Sequence, residues 1–398
     1  MQSSRFFDEE IDKDNRPIDA VDDEDTSGGS VPVKPWDPGK IRITTKSFSL
    51  RDVVDQIEDS EIDLSPDFQR EYVWKARQRT RLIESILLGI PLPAFYFNQE
   101  KDGTYQVVDG VQRLSTIALF MRNEHVLDKE DLEYLHGLHG ATFDTLEPAA
   151  SRRLRSTQIV VHVIEPQTPD EVKYDIFGRV NTLGSPLSAQ EIRHAMSKER
   201  SRNFLRTLSE SESFDAATEM HYWRRDPSTG RSTRDSGRMT NRELALRFCA
   251  FRWFVNEDYR KHSSLDAFLV EFTRRLDGSS DSAHPISDEG LEELRLDFNR
   301  AMINARSVMG RLAFRRLSGS GAARRGPINR AVFESQAVAL ASYEPVEIAD
   351  RLEQIKNAFV GLFEDSDYAR AVTVATGDPR AVDKRLNAAR AALAGVMK

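Results

Sequence analysis

Of 398 residues only one is a cysteine, Cys249 inside "LRFCAFRWF". A single thiol excludes an intrachain disulfide and a cysteine-built metal cluster, and it predicts a core residue in a reducing cytoplasm. Long apolar runs are lacking too. The most apolar segment, Leu82 to Phe97, is broken by Glu84 and two prolines, too soon to span a bilayer. The start of the chain has neither the basic residues nor the apolar stretch of a secretory signal, so export is not expected. Histidines are few, at positions 125, 136, 139, 162, 194, 221, 262 and 284, and none lies in a His-Asn-His constellation. His136 and His139 in "LHGLHG" have no third ligand at a metal-site spacing.

Charge is abundant, but it is unevenly spread. Residues 1 to 26 hold ten Asp/Glu and three Lys/Arg, which is −7 of the total −8. The remainder is therefore close to neutral. An acidic, aromatic-poor start followed by "TSGGSVPVKPWDPG" cannot bury enough surface to order itself, so residues 1–39 read as a disordered acidic tail. A partner-binding or DNA-mimicking arm is the functional alternative.

The ordered chain begins at "KIRITTKSFSLRDVVDQIEDSEIDL", a strand and then a helix with Leu50, Val53, Val54 and Ile57 on one face. Next come an extended loop, a helix carrying Leu82, Ile83, Ile86 and Leu87, a stop at Gly89, and a strand over Ala94 to Phe97. Asp102-Gly103 is a strong turn dipeptide between two β-rich runs and predicts a hairpin whose second strand ends at Asp109. "STQIVVHVIE" reads as a buried strand. "TPDEVKYDIFGRVN" and "SPLSAQEIRHAM" read as helices opened by capping boxes, Thr168 with Glu171 and Ser188 with Glu191. After about residue 198 strand signals nearly vanish, and "NRELALRFCAFRWFV" and its successors read as amphipathic helices.

The stretch "VVDGVQRLSTIALFM" changes its hydrophobic period where a strand hands over to a helix. Such a junction leaves the first helical N–H groups without partners and favours negative charge, which makes it a ready phosphate site. Gly110 lets backbone approach a ligand, and Arg113 adds a planar fork for two phosphate oxygens. Asp109 would repel phosphate unless a cation stood between them, which suits a Mg²⁺ ligand. Gln112 can orient a water or a hydroxyl. Both Asp109 and Arg113 are expected to be exposed. The plainer reading makes Asp109 a helix N-cap and Arg113 its surface partner. The turn is not a Walker loop, which needs more glycines and a lysine.

"VVDGVQRLSTI", the upstream "PDFQREYVWK" with "LIESILLGIPLPAFYF", and the downstream "FGRVNTLGSPLSAQEIRHA" resemble, in order over residues 45 to 197, the DGQQR-motif domain family. That family includes the N-terminal, nucleotide-using part of GmrSD-type restriction systems and is related to the ParB and sulfiredoxin fold. The resemblance implies an α+β, ParB/sulfiredoxin-like domain at residues 40–197, followed by an all-helical domain at 198–398. It implies binding of a nucleoside triphosphate (NTP) with Mg²⁺, and its hydrolysis, coupled to recognition of foreign, often modified DNA in phage defence. Asp109, Gly110, Gln112 and Arg113 match the motif, whereas Val111 stands where the family has glutamine. A valine packed into the core at that point would be harmless; otherwise a hydrogen-bonding group is missing and turnover is in doubt. Arg70 in "PDFQREYVW" and the loop residues Asn181 and Thr182 are the further expected contacts. The alternatives are an ordinary salt bridge for Arg70 and a helix C-cap for Asn181.

Relatives often carry an HNH-type nuclease. No such motif is found here, so the chain is expected to act with a separate nuclease or effector protein. Two stretches rich in Arg, Gly and Ser, "RRDPSTGRSTRDSGRMTN" and "RRLSGSGAARRGP", are either solvated loops or phosphate contacts. The densest basic cluster outside the nucleotide domain is Arg224, Arg225, Arg231, Arg234 and Arg238, the expected DNA-binding residues. The rival to a nucleotide-using sensor is a non-enzymatic DNA- or protein-interaction module with a degenerate nucleotide site.

Overall fold

The computed structural model describes residues 38–64, 74–180, 188–225, 230–235, 238–254, 259–278, 285–317 and 326–398. The acidic tail to residue 37, Arg70, Asn181, Thr182 and His284 lie outside them. The chain packs as compact units, one comprising Pro35–Met196 and the other containing Ser197–Lys398. The architecture is α+β: a small mixed sheet with helices on it, then a helical region.

In the first unit, β1 (Ile43–Ser49) runs into α1 (Leu50–Glu58), where the Ser49 hydroxyl accepts from the Asp52 N–H. β2 (Ile62–Asp63) is followed by α2 (Ala76–Leu88), stopped by Gly89 in the left-handed region at φ 80°. β3 (Phe95–Gln99) and β4 (Tyr105–Asp109) form the expected hairpin, with the Asp102 carboxylate holding the N–H and hydroxyl of Thr104 at the turn. α3 (Val111–Met121), α4 (Pro148–Ser156), β5 (Gln158–Ile164), α5 (Asp170–Val180) and α6 (Ala189–Ala195) complete the unit. α6 carries the Ser188/Glu191 capping box. The Thr168 hydroxyl, expected to cap α5, exchanges hydrogen bonds with the backbone N–H and carbonyl of Arg42 at the entry to β1.

The strand order is β1-β5-β3-β4-β2, with β3 parallel to β5 and antiparallel to β4. Side chains alternate across the sheet, so β3, β4 and β5 each feed two cores. Phe95, Phe97 and Val107 face the larger one, built with Val53, Ile83, Leu114 and Ile117 of α1 to α3. Val108 and Ile164 face a smaller one, with Phe177 of α5 and Ile192 of α6. Near the end of β4 the ladder shifts: Phe97 pairs with Val107, but Tyr96 pairs with Asp109. β4 thus holds one extra residue, a bulge, and bulges re-aim the side chain that follows.

The second unit contains α7 (Glu199–Ser209), α8 (Glu212–Ala217), α9 (Thr240–Trp253), α10 (Leu265–Leu276), α11 (Asp288–Met309), α12 (Arg330–Leu340), α13 (Leu352–Gly361) and α14 (Pro379–Met397). α9 differs from the amphipathic reading: every residue from Asn241 to Phe251 is buried. Two of its charged positions, Glu243 and Arg247, are paired internally. The Glu334 carboxylate of α12, fully buried, accepts from Arg247 of α9 at 2.8 Å and from Arg385 of α14 at 2.9 and 2.5 Å. Glu243 accepts from Arg247 at 3.0 Å and Arg330 at 3.3 Å. Cys249 lies in this core, where burial pushes its thiol pKa far up and keeps it unreactive.

Strand structure also persists where the sequence showed little. β6 (Trp223–Arg225) and β7 (Ser232–Arg234) pair antiparallel as a two-stranded ribbon. Strands of three residues, Trp-Arg-Arg and Ser-Thr-Arg, carry no apolar alternation to read.

Candidate functional site

Gly110 sits between β4 and α3 at φ 104°, a conformation L-residues rarely adopt. A Cβ there would lie 2.2 Å from Cδ1 of the Phe95 ring. Glycine is therefore required twice, by backbone angle and by the buried ring beneath it. Gly110 is itself the N-cap of α3, and no side chain caps this helix. The expected alternative, Asp109 as the N-cap, does not occur. The first turn of α3 holds no acidic residue either, so its N–H dipoles meet no carboxylate from within the helix.

Asp109 and Arg113 form an ion pair, with Arg113 Nη2 donating to Asp109 Oδ2 at 2.7 Å. Arg113 also donates to the Pro93 carbonyl at 2.5 Å and the Ala94 carbonyl at 3.3 Å, and its guanidinium lies 4.1 Å from the centre of the Phe95 ring. These bonds tie the start of β3 to the start of α3. Neither side chain is as exposed as the sequence led us to expect: Arg113 is 13% exposed and Asp109 35%. Burial pushes the Asp109 carboxyl above the usual range, against the pull of the Arg113 charge and the Gly110 N–H. Burial likewise pulls the Arg113 guanidinium down, countered by Asp109. The open end of the pair is thus the acid.

Val111 is 3% exposed and packs with Phe95, Leu114 and Ile117 in the larger core. The departure from the family motif therefore falls on a side chain that faces inward. Gln112 begins the helix half-buried beside it, with its carbonyl accepting from the Thr116 hydroxyl. Sequence reasoning missed the seat of the motif, namely Phe95 and the carbonyls of Pro93 and Ala94. The signal was the "PLPAF" run, whose prolines hold the chain extended just before β3.

Among the described residues no group of three or more His, Cys, Asp or Glu side chains could hold a metal ion. His139 uses Nδ1 to accept from the Lys129 N–H.

The basic cluster of the second unit divides. Arg234 is closed off: it makes a two-pronged pair with Asp215 at 2.6 and 2.5 Å and stacks on Trp223 at 4.8 Å. Arg224 donates to the carbonyls of His221 and Trp223 and lies 3.7 Å from Asp235. Arg225 and Arg231 are exposed, and Arg238 stands at φ 58° ahead of α9.

No curated protein and no solved structure matches the chain. Residues 50–197 match the family model of the GmrSD restriction endonuclease, N-terminal domain, and the match contains the whole Asp109–Arg113 seam.

Proposed function

We propose that the Asp109 seam binds a nucleoside triphosphate with its Mg²⁺, and that the chain serves a restriction system as a sensor or specificity protein. The observation that carries this reading is the uncapped start of α3 behind Gly110, with a carboxylate one third exposed beside it, inside the segment similar to the GmrSD domain. Backbone N–H groups at such a helix start suit phosphate oxygens. A single carboxylate already held by an arginine does not make a resident metal site. It does fit Mg²⁺ that arrives on the phosphates, because Mg²⁺ keeps several waters and takes one or two protein carboxylates. When bound, the ion would neutralise phosphate charge. Asp109 would face it, Arg113 orients Asp109, and Gln112 is suited to hold a water. The inward packing of Val111 supports the reading, since valine there removes no group that faces the seam.

DNA recognition belongs to the same proposal. The exposed arginines Arg225, which ends β6, and Arg231, which precedes β7, flank the strands of a two-stranded ribbon, an element that a DNA major groove admits. Arg224 precedes Arg225 on β6, while Arg234 of β7 is held by Asp215. A phosphate-release assay with ATP, GTP, CTP and UTP, with and without DNA, tests the function. Release stimulated by DNA is the expected result. Nucleotide binding without release, or binding of DNA or a partner protein alone, would favour the non-enzymatic module.

A further inference from the structure

The strand register sets a row of residues across one face of the first unit's sheet. Thr45 of β1 is opposite His162 of β5, His162 is opposite Tyr96 of β3, and Tyr96 is opposite Asp109 of β4. Directly opposite residues in a sheet project to the same face. The bulge in β4 is what brings the motif acid into this row. Tyr96 packs with the Phe177 and Ile192 cluster, so the face is the one that α5 and α6 partly cover.

The row is chemically unlike the rest of the sheet. The His162 and Tyr96 rings lie 4.9 Å apart, and the Thr45 hydroxyl holds His162 Nδ1 at 3.0 Å, which fixes the imidazole. Both rings are only half-buried. Among the described residues, His162 Nε2 and the Tyr96 hydroxyl have no hydrogen-bond partner. One row further along the same face, Asn98 is opposite both Ile164 and Gln106. Asn98 is 3% exposed and Gln106 6%, yet Asn98 Oδ1 and Gln106 Oε1 find no donor, although Asn98 Nδ2 donates to Glu100. Two buried acceptors without donors, side by side, are unfavourable unless something supplies N–H groups, because each carries its full desolvation cost.

We propose that this face receives the base of the nucleotide held at Asp109, with Tyr96 and His162 as its stacking platform and the Asn98 and Gln106 carbonyl oxygens as acceptors for its exocyclic amine. The inference rests on the nucleotide reading of the seam and extends it from the phosphates to the base. Neighbouring strands are about 4.8 Å apart, so the platform begins one strand from Asp109 and ends two strands away. The acceptors select bases that carry an amine. The amines of ATP, GTP and CTP offer two N–H groups for the two acceptors, whereas UTP has a carbonyl in place of the amine and at most its single N3–H to give.

The test separates base from phosphate by titrating the full chain, in Mg²⁺, with the four nucleotides and with inorganic tripolyphosphate, which has no base. The wild-type protein should bind ATP, GTP or CTP more tightly than UTP and tripolyphosphate. His162→Ala and Tyr96→Leu should each weaken the amine-bearing nucleotides at least about fivefold, a typical loss for one base-stacking side chain, and leave tripolyphosphate unchanged. Asn98→Leu with Gln106→Leu should abolish the discrimination against UTP. Tyr96→Phe keeps the packing and should retain most of the affinity, which guards against a Tyr96→Leu protein that melts poorly. Asp109→Asn should weaken every ligand, tripolyphosphate included. Equal binding of nucleotides and tripolyphosphate by the wild type would overturn the base site while leaving the phosphate reading intact. Unchanged nucleotide affinity in His162→Ala and Tyr96→Leu would do the same. No binding of any of the five would overturn both.

Discussion

Two ionic sites in this molecule each set a carboxylate against arginine and are finished differently. Glu334 in the helical unit is wholly enclosed and accepts from two arginines that are themselves buried. Asp109 in the sheet unit has one arginine, is a third exposed, and sits beside helix N–H groups that no side chain caps. The first site is complete without a ligand. The second has an acid that burial has made harder to ionise and an open side from which a cation-bearing phosphate could relieve it. Closure of the polar network, more than its composition, separates a structural site from a candidate binding site.

The comparison breaks most visibly at Glu334. Replacing it with alanine leaves Arg247 and Arg385 buried without their carboxylate, and breaking a buried pair typically costs about 3–5 kcal/mol. Chemical denaturation should show that loss, and a change below about 1 kcal/mol would mean that the network is not what holds α9, α12 and α14 together. Val111→Gln is the next largest. It places an amide in the core beside Phe95 and should cost about 1–3 kcal/mol, with no gain in nucleotide-dependent stabilisation. A gain would show that position 111 reaches the ligand.

Glu84 sharpens the contrast through pH. Its buried carboxylate accepts the backbone N–H groups of Glu133, Tyr134 and Leu135, pinning the segment after α3. Burial raises its pKa, but those N–H groups outweigh it and hold the carboxyl below the usual range. A lowered folded-state pKa stabilises above the unfolded value, about 4.3 for glutamate, and that contribution disappears as pH falls through the folded value. Glu84→Gln should therefore be less stable than wild type at pH 7, with the difference narrowing toward pH 3 in thermal melts. A constant difference across that range would contradict this assignment.

The smallest effect on stability belongs to the ribbon tip. Arg225→Gln with Arg231→Gln should leave the melting temperature unchanged and reduce the salt slope of DNA binding by about two, one unit for each phosphate that an arginine no longer neutralises. Arg234→Gln instead removes the Asp215 pair and should lower stability, since that arginine is a support. Equal behaviour of the three positions would erase the division the structure draws within this cluster.

Much of the seam was legible in the sequence because a change of hydrophobic period marks a strand-to-helix junction wherever it occurs. The hairpin at Asp102-Gly103, the stop at Gly89 and the Ser188 capping box were legible for the same local reason. What was not legible depends on residues distant in the chain. Nothing near Gly110 says that Phe95 lies under it, and nothing near Arg113 says that its guanidinium binds the Pro93 and Ala94 carbonyls. The row from His162 to Asp109 needs the strand order and the bulge. Its trace in the sequence is faint: Asn98, Gln106 and His162 are polar interruptions in strands that otherwise read as buried. α9 misled in the opposite direction. Its charged residues suggest a solvent face, and only their partners on α12, Arg330 and Glu334, show that they are interior.

The seam's role rests most directly on Asp109→Asn, compared with wild type in thermal melts with and without Mg²⁺-nucleotide. Asp109→Asn removes a charge that burial disfavours but also takes from Arg113 its carboxylate partner, so the bare variant should unfold cooperatively and melt close to wild type at pH 7. Wild type should gain about 2.7 kcal/mol at a hundredfold excess of nucleotide over Kd, and the variant should gain little or nothing. An equal gain in both proteins, or no gain in wild type with any of the four nucleotides, would contradict the assignment of Asp109 as the centre of a nucleotide site.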